Sequence, residues 1–187
     1  MDKIRSMKNE ILDEKLIERD GRPFSVPLTI ILSVVVGLTI GVVTNAVHVH
    51  VSPVYFKIVM GWEEISTEYL SFLALFQGIK EGAIYGLIFS VALVAAVGWK
   101  STNMPPRSVV NGVLLKAVGI IFVCWLLGGG LGVLVFMVLP EIDPTEPFFT
   151  SETNQGLRFG FVGGGIWGCM IGAVIALIWA VVKLRKA

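Results

Sequence analysis

The sequence predicts an all-α integral membrane protein, a four-helix bundle made of two parallel two-helix hairpin repeats. Three observations carry this. The 187-residue chain is 55% hydrophobic and only 16% charged, against about 25% charged residues in a soluble domain. The charges are segregated, leaving charge-free stretches at 23–56, 82–99, 117–140 and 159–182. One phrase also occurs twice, QGIKEGAIYG from Gln77 and QGLRFGFVGG from Gln155, each time opening an apolar run.

The first segment, 1–22, reads as an amphipathic tail. Ile4, Met7, Ile11, Leu12, Leu16 and Ile17 recur at helical steps among charges, and Gly21 and Pro23 end the pattern. The first hairpin repeat covers 23–99, with spans at about 27–49 and 80–99. A loop at 100–112 follows. The second hairpin covers 113–182, with spans at about 113–139 and 158–182, and 183–187 is a short tail. About 20 apolar residues at 1.5 Å each cross roughly 30 Å of hydrocarbon, so every span is long enough. The first span is expected to stay in the mature chain, because its leader and apolar run are too long for a cleavable signal and no small-residue cleavage site follows. Tyr69–Phe76 either lies at the outer interface or extends the second span outward.

Orientation follows from Lys and Arg. Twelve of the fifteen fall in the N-terminal tail, the middle loop and the C-terminal tail. Both termini are therefore expected in the cytoplasm, with the chain in the plasma (inner) membrane. The external loops are acidic, and the scattered basic residues match membrane orientation, not nucleic acid. The lipid bilayer is the expected partner, together with other copies of the chain or a larger membrane complex.

The duplication pairs Gln77, Gly78, Gly82 and Gly86 with Gln155, Gly156, Gly160 and Gly164, an offset of 78. A weaker match pairs Gly37 and Gly41 with Gly128 and Gly132, an offset of 91. These glycines form stripes: Gly78, Gly82 and Gly86 in the second span, Gly160, Gly164, Gly168 and Gly172 in the fourth, and one GxxxG each in the first and third. In lipid, small residues let helix backbones approach until dispersion and Cα–H···O contacts hold them. The stripes are thus expected to be packing seams, with Gly156, Gly163 and Gly165 widening the fourth helix to meet a second neighbour.

The polar residues offer two candidate sites. Lys80 and Arg158 each follow a glutamine, Gln77 and Gln155, by three residues. Placed at helix N-termini, whose free N–H groups attract anions, they could bind an anion or a lipid phosphate. His48 and His50 could hold a divalent metal with Glu63 or Glu64 if the chain there is extended, since alternate residues then share a face. No ionisable side chain is expected at depth in the hydrocarbon, where Thr44, Asn45, Tyr85 and Ser90 are the deepest polar groups, and this weighs against ion-coupled transport. No catalytic motif is present: no GxSxG, HExxH or Walker loop. An enzyme and a cofactor are therefore not expected. Cys124 and Cys169 read as free thiols, without CxxC spacing.

Val51, Ser52, Pro53, Tyr55 and Phe56, in VSPVYF, resemble bacterial polytopic membrane proteins that carry a V-S-P-x-Y-F phrase after their first span. The resemblance implies a multi-pass membrane protein and assigns no functional residue. Three functions are thus in view: a non-enzymatic structural or accessory subunit packing through glycine seams, a small oligomeric channel or facilitator for anions, and an external metal binder.

Overall fold

A computed structural model describes residues 25–98, 105–138 and 154–186, with side chains placed through 184 and, in the last segment, from 155. The amphipathic tail and the acidic loop of 139–153 lie outside the described residues. The fold is all-helical: α1 (Val26–Val51), α2 (Pro53–Val59), α3 (Thr67–Gly98), α4 (Arg107–Val138) and α5 (Asn154–Lys186). Four of these are long and apolar enough to cross a membrane. The chain is an integral membrane four-helix bundle of two hairpins, α1 with α3 and α4 with α5.

Local chemistry sets the breaks. Pro27 stands in the first turn of α1, where the missing N–H is no loss. At the far end Pro53 disfavours helical geometry at Ser52, which adopts φ −143° and ψ 85°. The chain turns there and restarts as α2, with the Ser52 Oγ accepting from the Tyr55 N–H at 3.4 Å. Gly61, at φ +68°, makes the turn after α2, a conformation open mainly to glycine.

The second span is longer than expected. α3 begins at Thr67, and its 32 residues reach about 48 Å. The segment Tyr69–Phe76 therefore extends the helix. Lys80 and Glu81 do not border α3; they stand near its middle.

Both hairpins close on glycine. A Cβ at Gly37 would strike the Gly82 carbonyl oxygen and lie 2.9 Å from Gly86 Cα; one at Gly41 would strike the Gly78 carbonyl oxygen. In the second hairpin a Cβ at Gly128 would strike the Gly164 carbonyl oxygen and lie 2.7 Å from Gly168 Cα; one at Gly132 would strike that of Gly160. Ser33 against Gly86 repeats as Cys124 against Gly168. The correspondence of α1 with α4 is thus the 91-residue offset read from the sequence. That of α3 with α5 is 82, one helical turn away from the 78 of the repeated phrase. The physical reason is that a stripe with glycine at every fourth position matches itself after a four-residue slip. Text similarity alone cannot choose the register; backbone contact does. In the seam, Gly78 occupies the place of Gly160, and a Cβ at Gly156 would meet only the Phe136 ring, at 3.5 Å.

The hairpins are tight within and loose between: α1 and α3 pack closely, as do α4 and α5, while α3 touches α5 less and α1 barely touches α4. Two apolar clusters join them. At the end carrying α2, Tyr55 and Phe56 pack with Val49, Leu70, Ala74 and Val162. At the opposite end, Leu93 and Val97 of α3 meet Val110 and Leu114 of α4 and Ala180 and Leu184 of α5.

Candidate functional site

Between these clusters lies a cavity of about 190 Å³, walled by one face of each hairpin. Most of the wall is apolar, from Val36 and Ile40 on one side to Val118 and Ile121 on the other. The polar lining is short: Ser33, Thr44, Asn45, His48, Glu81 and Tyr85, with the Cys169 thiol. Thr44 Oγ1 donates to the Ile40 carbonyl at 2.8 Å. Asn45 Nδ2 donates to the Gly41 carbonyl at 3.1 Å. Cys124 and Cys169 are both free.

Among the described residues Glu81 is the one formal charge on the wall. Its neighbour Gly82 packs on Gly37 and Leu38, at the midpoint of α1 (Val26–Val51). Across the cavity stand Cys169 and Met170, in the middle of α5 (Asn154–Lys186). Glu81 is therefore borne near the middle of α3 and level with the middle of α1. This corrects the expectation that no ionisable group lies at depth. That expectation came from starting the second span at Lys80. The available signal was the uncharged run 69–79 before Lys80 and Glu81, which together with 82–99 makes one long apolar stretch interrupted by a single charged pair.

Gln77 Nε2 donates to Glu81 Oε1 at 2.6 Å. The Tyr55 hydroxyl is raised above the ordinary phenol value, first by burial and then by the negative charge of Glu81. Because the folded state favours the neutral phenol, the stability it contributes is complete below pH of about 10 and is lost as pH rises through the raised value. A difference ultraviolet titration between wild type and Tyr55→Phe should isolate this late-ionising phenol. In Glu81→Gln its midpoint should fall toward 10; an unmoved midpoint would mean that the carboxylate does not reach it.

His48 marks the second polar feature, one that residue-by-residue reading missed. It is 2% exposed, and Trp125 Nε1 of α4 donates to its Nε2 at 2.8 Å. An indole N–H only donates, so Nε2 accepts and the neutral ring carries its proton on Nδ1, which is buried with no hydrogen-bond partner. Gly165 of α5 makes room: a Cβ there would lie 2.9 Å from His48 Nε2 and 3.0 Å from Trp125 Nε1. Three helices from both hairpins therefore meet at one point. The small face of α5 has two neighbours: Gly164 and Gly168 pack on α4, and a Cβ at Gly163 would lie 3.3 Å from the Tyr55 ring.

The two expected sites are not assembled. The chain is helical through Val51, so His48 and His50 diverge. His48 binds Trp125, while His50 is exposed and its Nδ1 lies 2.7 Å from the Ala46 carbonyl. Among the described residues no three His, Cys, Asp or Glu side chains gather to hold a metal, and Glu63 and Glu64 are exposed. Lys80 lies far from the N-terminus of α3, and Gln77 is engaged by Glu81. Arg158 lies one turn into α5, near Gln155. In the seam register Lys80 corresponds to Val162 of the other hairpin, not to Arg158. Both cations are exposed and unpaired among the described residues.

The fold and cavity define the class of protein: a polytopic helical membrane protein with an intramembrane chamber. No protein-family model, no curated protein and no solved structure matches the chain.

Proposed function

We propose that the protein is a membrane carrier or facilitator that binds a small solute midway through the bilayer. The observation that carries this reading is Glu81 on the wall of a mostly apolar cavity at mid-height of the bundle. An ionisable side chain at that depth is costly and is kept chiefly where a solute or ion path needs it. Ligand sites are concave, largely apolar and supplied with a few polar groups. By the distribution of Lys and Arg, both termini face the cytoplasm and α2 lies outside, in the plasma membrane.

Self-association is a second reading, from a different observation. Lys80 is exposed on the outer surface of α3, adjacent to Glu81 and at nearly the same height. An ammonium facing lipid there is unfavourable unless it reaches the interface or another subunit covers it. An assembly of carriers is compatible with both readings.

The test uses Ala173→Cys, on the cavity wall, in a chain carrying Cys124→Ala and Cys169→Ala. Oriented vesicles are treated with a membrane-impermeant thiol reagent from each side in turn. A carrier exposes its chamber alternately, so labelling from both sides is expected. Labelling from one side only overturns transport, and labelling only after denaturation overturns the solute site.

A further inference from the structure

The chemistry of the wall narrows the solute. We propose that the cavity binds a small lipophilic monovalent cation, with its charge held by Glu81. This rests on the reading of the cavity as a solute site.

Four observations converge. Among the described residues Glu81 is the sole formal charge on the lining, and the imidazole there, His48, accepts a hydrogen bond through Nε2 and is neutral in that arrangement. Glu81 has no ion-pair partner among the described residues; it bonds the Gln77 amide and lies near the Tyr55 phenol, both uncharged. A carboxylate held in apolar surroundings without a counter-charge selects for a cation. Anions meet like charge, and a neutral solute leaves the carboxylate uncompensated.

The rest of the wall sets the body of the ligand. A calcium or magnesium ion needs six or more oxygen ligands, which one carboxylate with an apolar surround cannot supply, and no three His, Cys, Asp or Glu side chains gather among the described residues to hold a zinc ion. Phe89 and Tyr85 line the same chamber as Glu81. Aromatic faces attract quaternary ammonium and protonated amine groups, and the apolar remainder of the wall accepts a hydrocarbon portion. The volume of about 190 Å³ suits one ring with a compact head.

The experiment is equilibrium dialysis of radiolabelled benzyltrimethylammonium with the full chain in proteoliposomes, against protein-free liposomes. Two competitors share its shape: neopentylbenzene, in which carbon replaces the charged nitrogen, and the anion benzylsulfonate. Saturable binding of the cation is expected, with each competitor at least tenfold weaker. Glu81→Gln should lose at least tenfold in affinity while Glu81→Asp keeps most of it. Phe89→Leu, which leaves the carboxylate untouched, should lose about threefold. Helical circular dichroism and elution volume check that each variant is folded.

Unchanged affinity in folded Glu81→Gln would overturn the proposal, as would a neutral isostere competing equally well. Preference for radiolabelled benzylsulfonate would overturn the cation class and leave the solute site standing. If no probe binds but Ala173→Cys is labelled from water, the ligand class again falls alone. If no probe binds and the cysteine stays closed, both readings fall together.

Discussion

Gly132→Val should melt the second hairpin at a lower temperature, at a cost of about 3 kcal/mol. The added Cβ would land on the Gly160 carbonyl oxygen and within 2.8 Å and 3.1 Å of the Gly160 carbonyl carbon and Gly164 Cα. All three are backbone atoms, so no side chain can rotate away and the two helices must part. Gly41→Val should act alike in the first hairpin, where the obstacle is the Gly78 carbonyl. Two controls share the α4 helix. At Gly129 the obstacle is the Phe161 ring, 2.7 Å away, which can shift, so Gly129→Ala should cost less. At Gly130 nothing lies within 4 Å, and alanine there should stabilise by up to about 1 kcal/mol through helix propensity. Thermal unfolding in detergent, followed by helical circular dichroism, gives the order. Equal effects at Gly132 and Gly130 would mean that the backbones do not cross where described.

Trp125→Ala should loosen the hairpins from each other without opening either one. It removes a buried aromatic, worth about 3–5 kcal/mol, and leaves His48 Nε2 without its donor. Trp125→Phe keeps the packing and removes only the indole N–H, so its cost should be about 1 kcal/mol, the scale of an interhelical hydrogen bond in a membrane protein. Gly165→Ala reaches the same bond from the third helix by crowding both ring nitrogens. The readout that separates this from general destabilisation is distance. Spin labels on α1 and α4 should show a broadened separation in Trp125→Ala, while labels on α1 and α3 should not. Broadening in both pairs would contradict a joint confined to the interface between hairpins.

The architecture was legible because apolar length and charge segregation are one-dimensional properties. Each of the four charge-free runs marks one span whatever the packing. The seam was legible only in part. Gly37 and Gly41 could be matched to Gly128 and Gly132, since a single GxxxG has one register. The longer stripes of α3 and α5 could not be matched, since a four-residue period admits several. The chamber was hidden for a different reason. Glu81 beside Lys80 looks like a membrane border in sequence, and only the 32-residue helix, with Gly82 seated on the middle of α1, shows that the pair lies far from either end. His48 and Trp125 are 77 residues apart, and no local pattern links a histidine at the end of one helix with a tryptophan in the middle of another.

The contrast between close seams and a sparse interface has a mechanical consequence. Where backbones touch, nothing long or flexible lies between the helices to absorb a displacement, so each hairpin behaves as a stiff beam. Compliance is then concentrated where the beams meet, at two greasy pads and one hydrogen-bonded rivet. A push on α2, on the membrane surface or on a guest in the chamber would tilt one beam against the other before it bent either. Flexibility in this molecule is set by where the glycines are not.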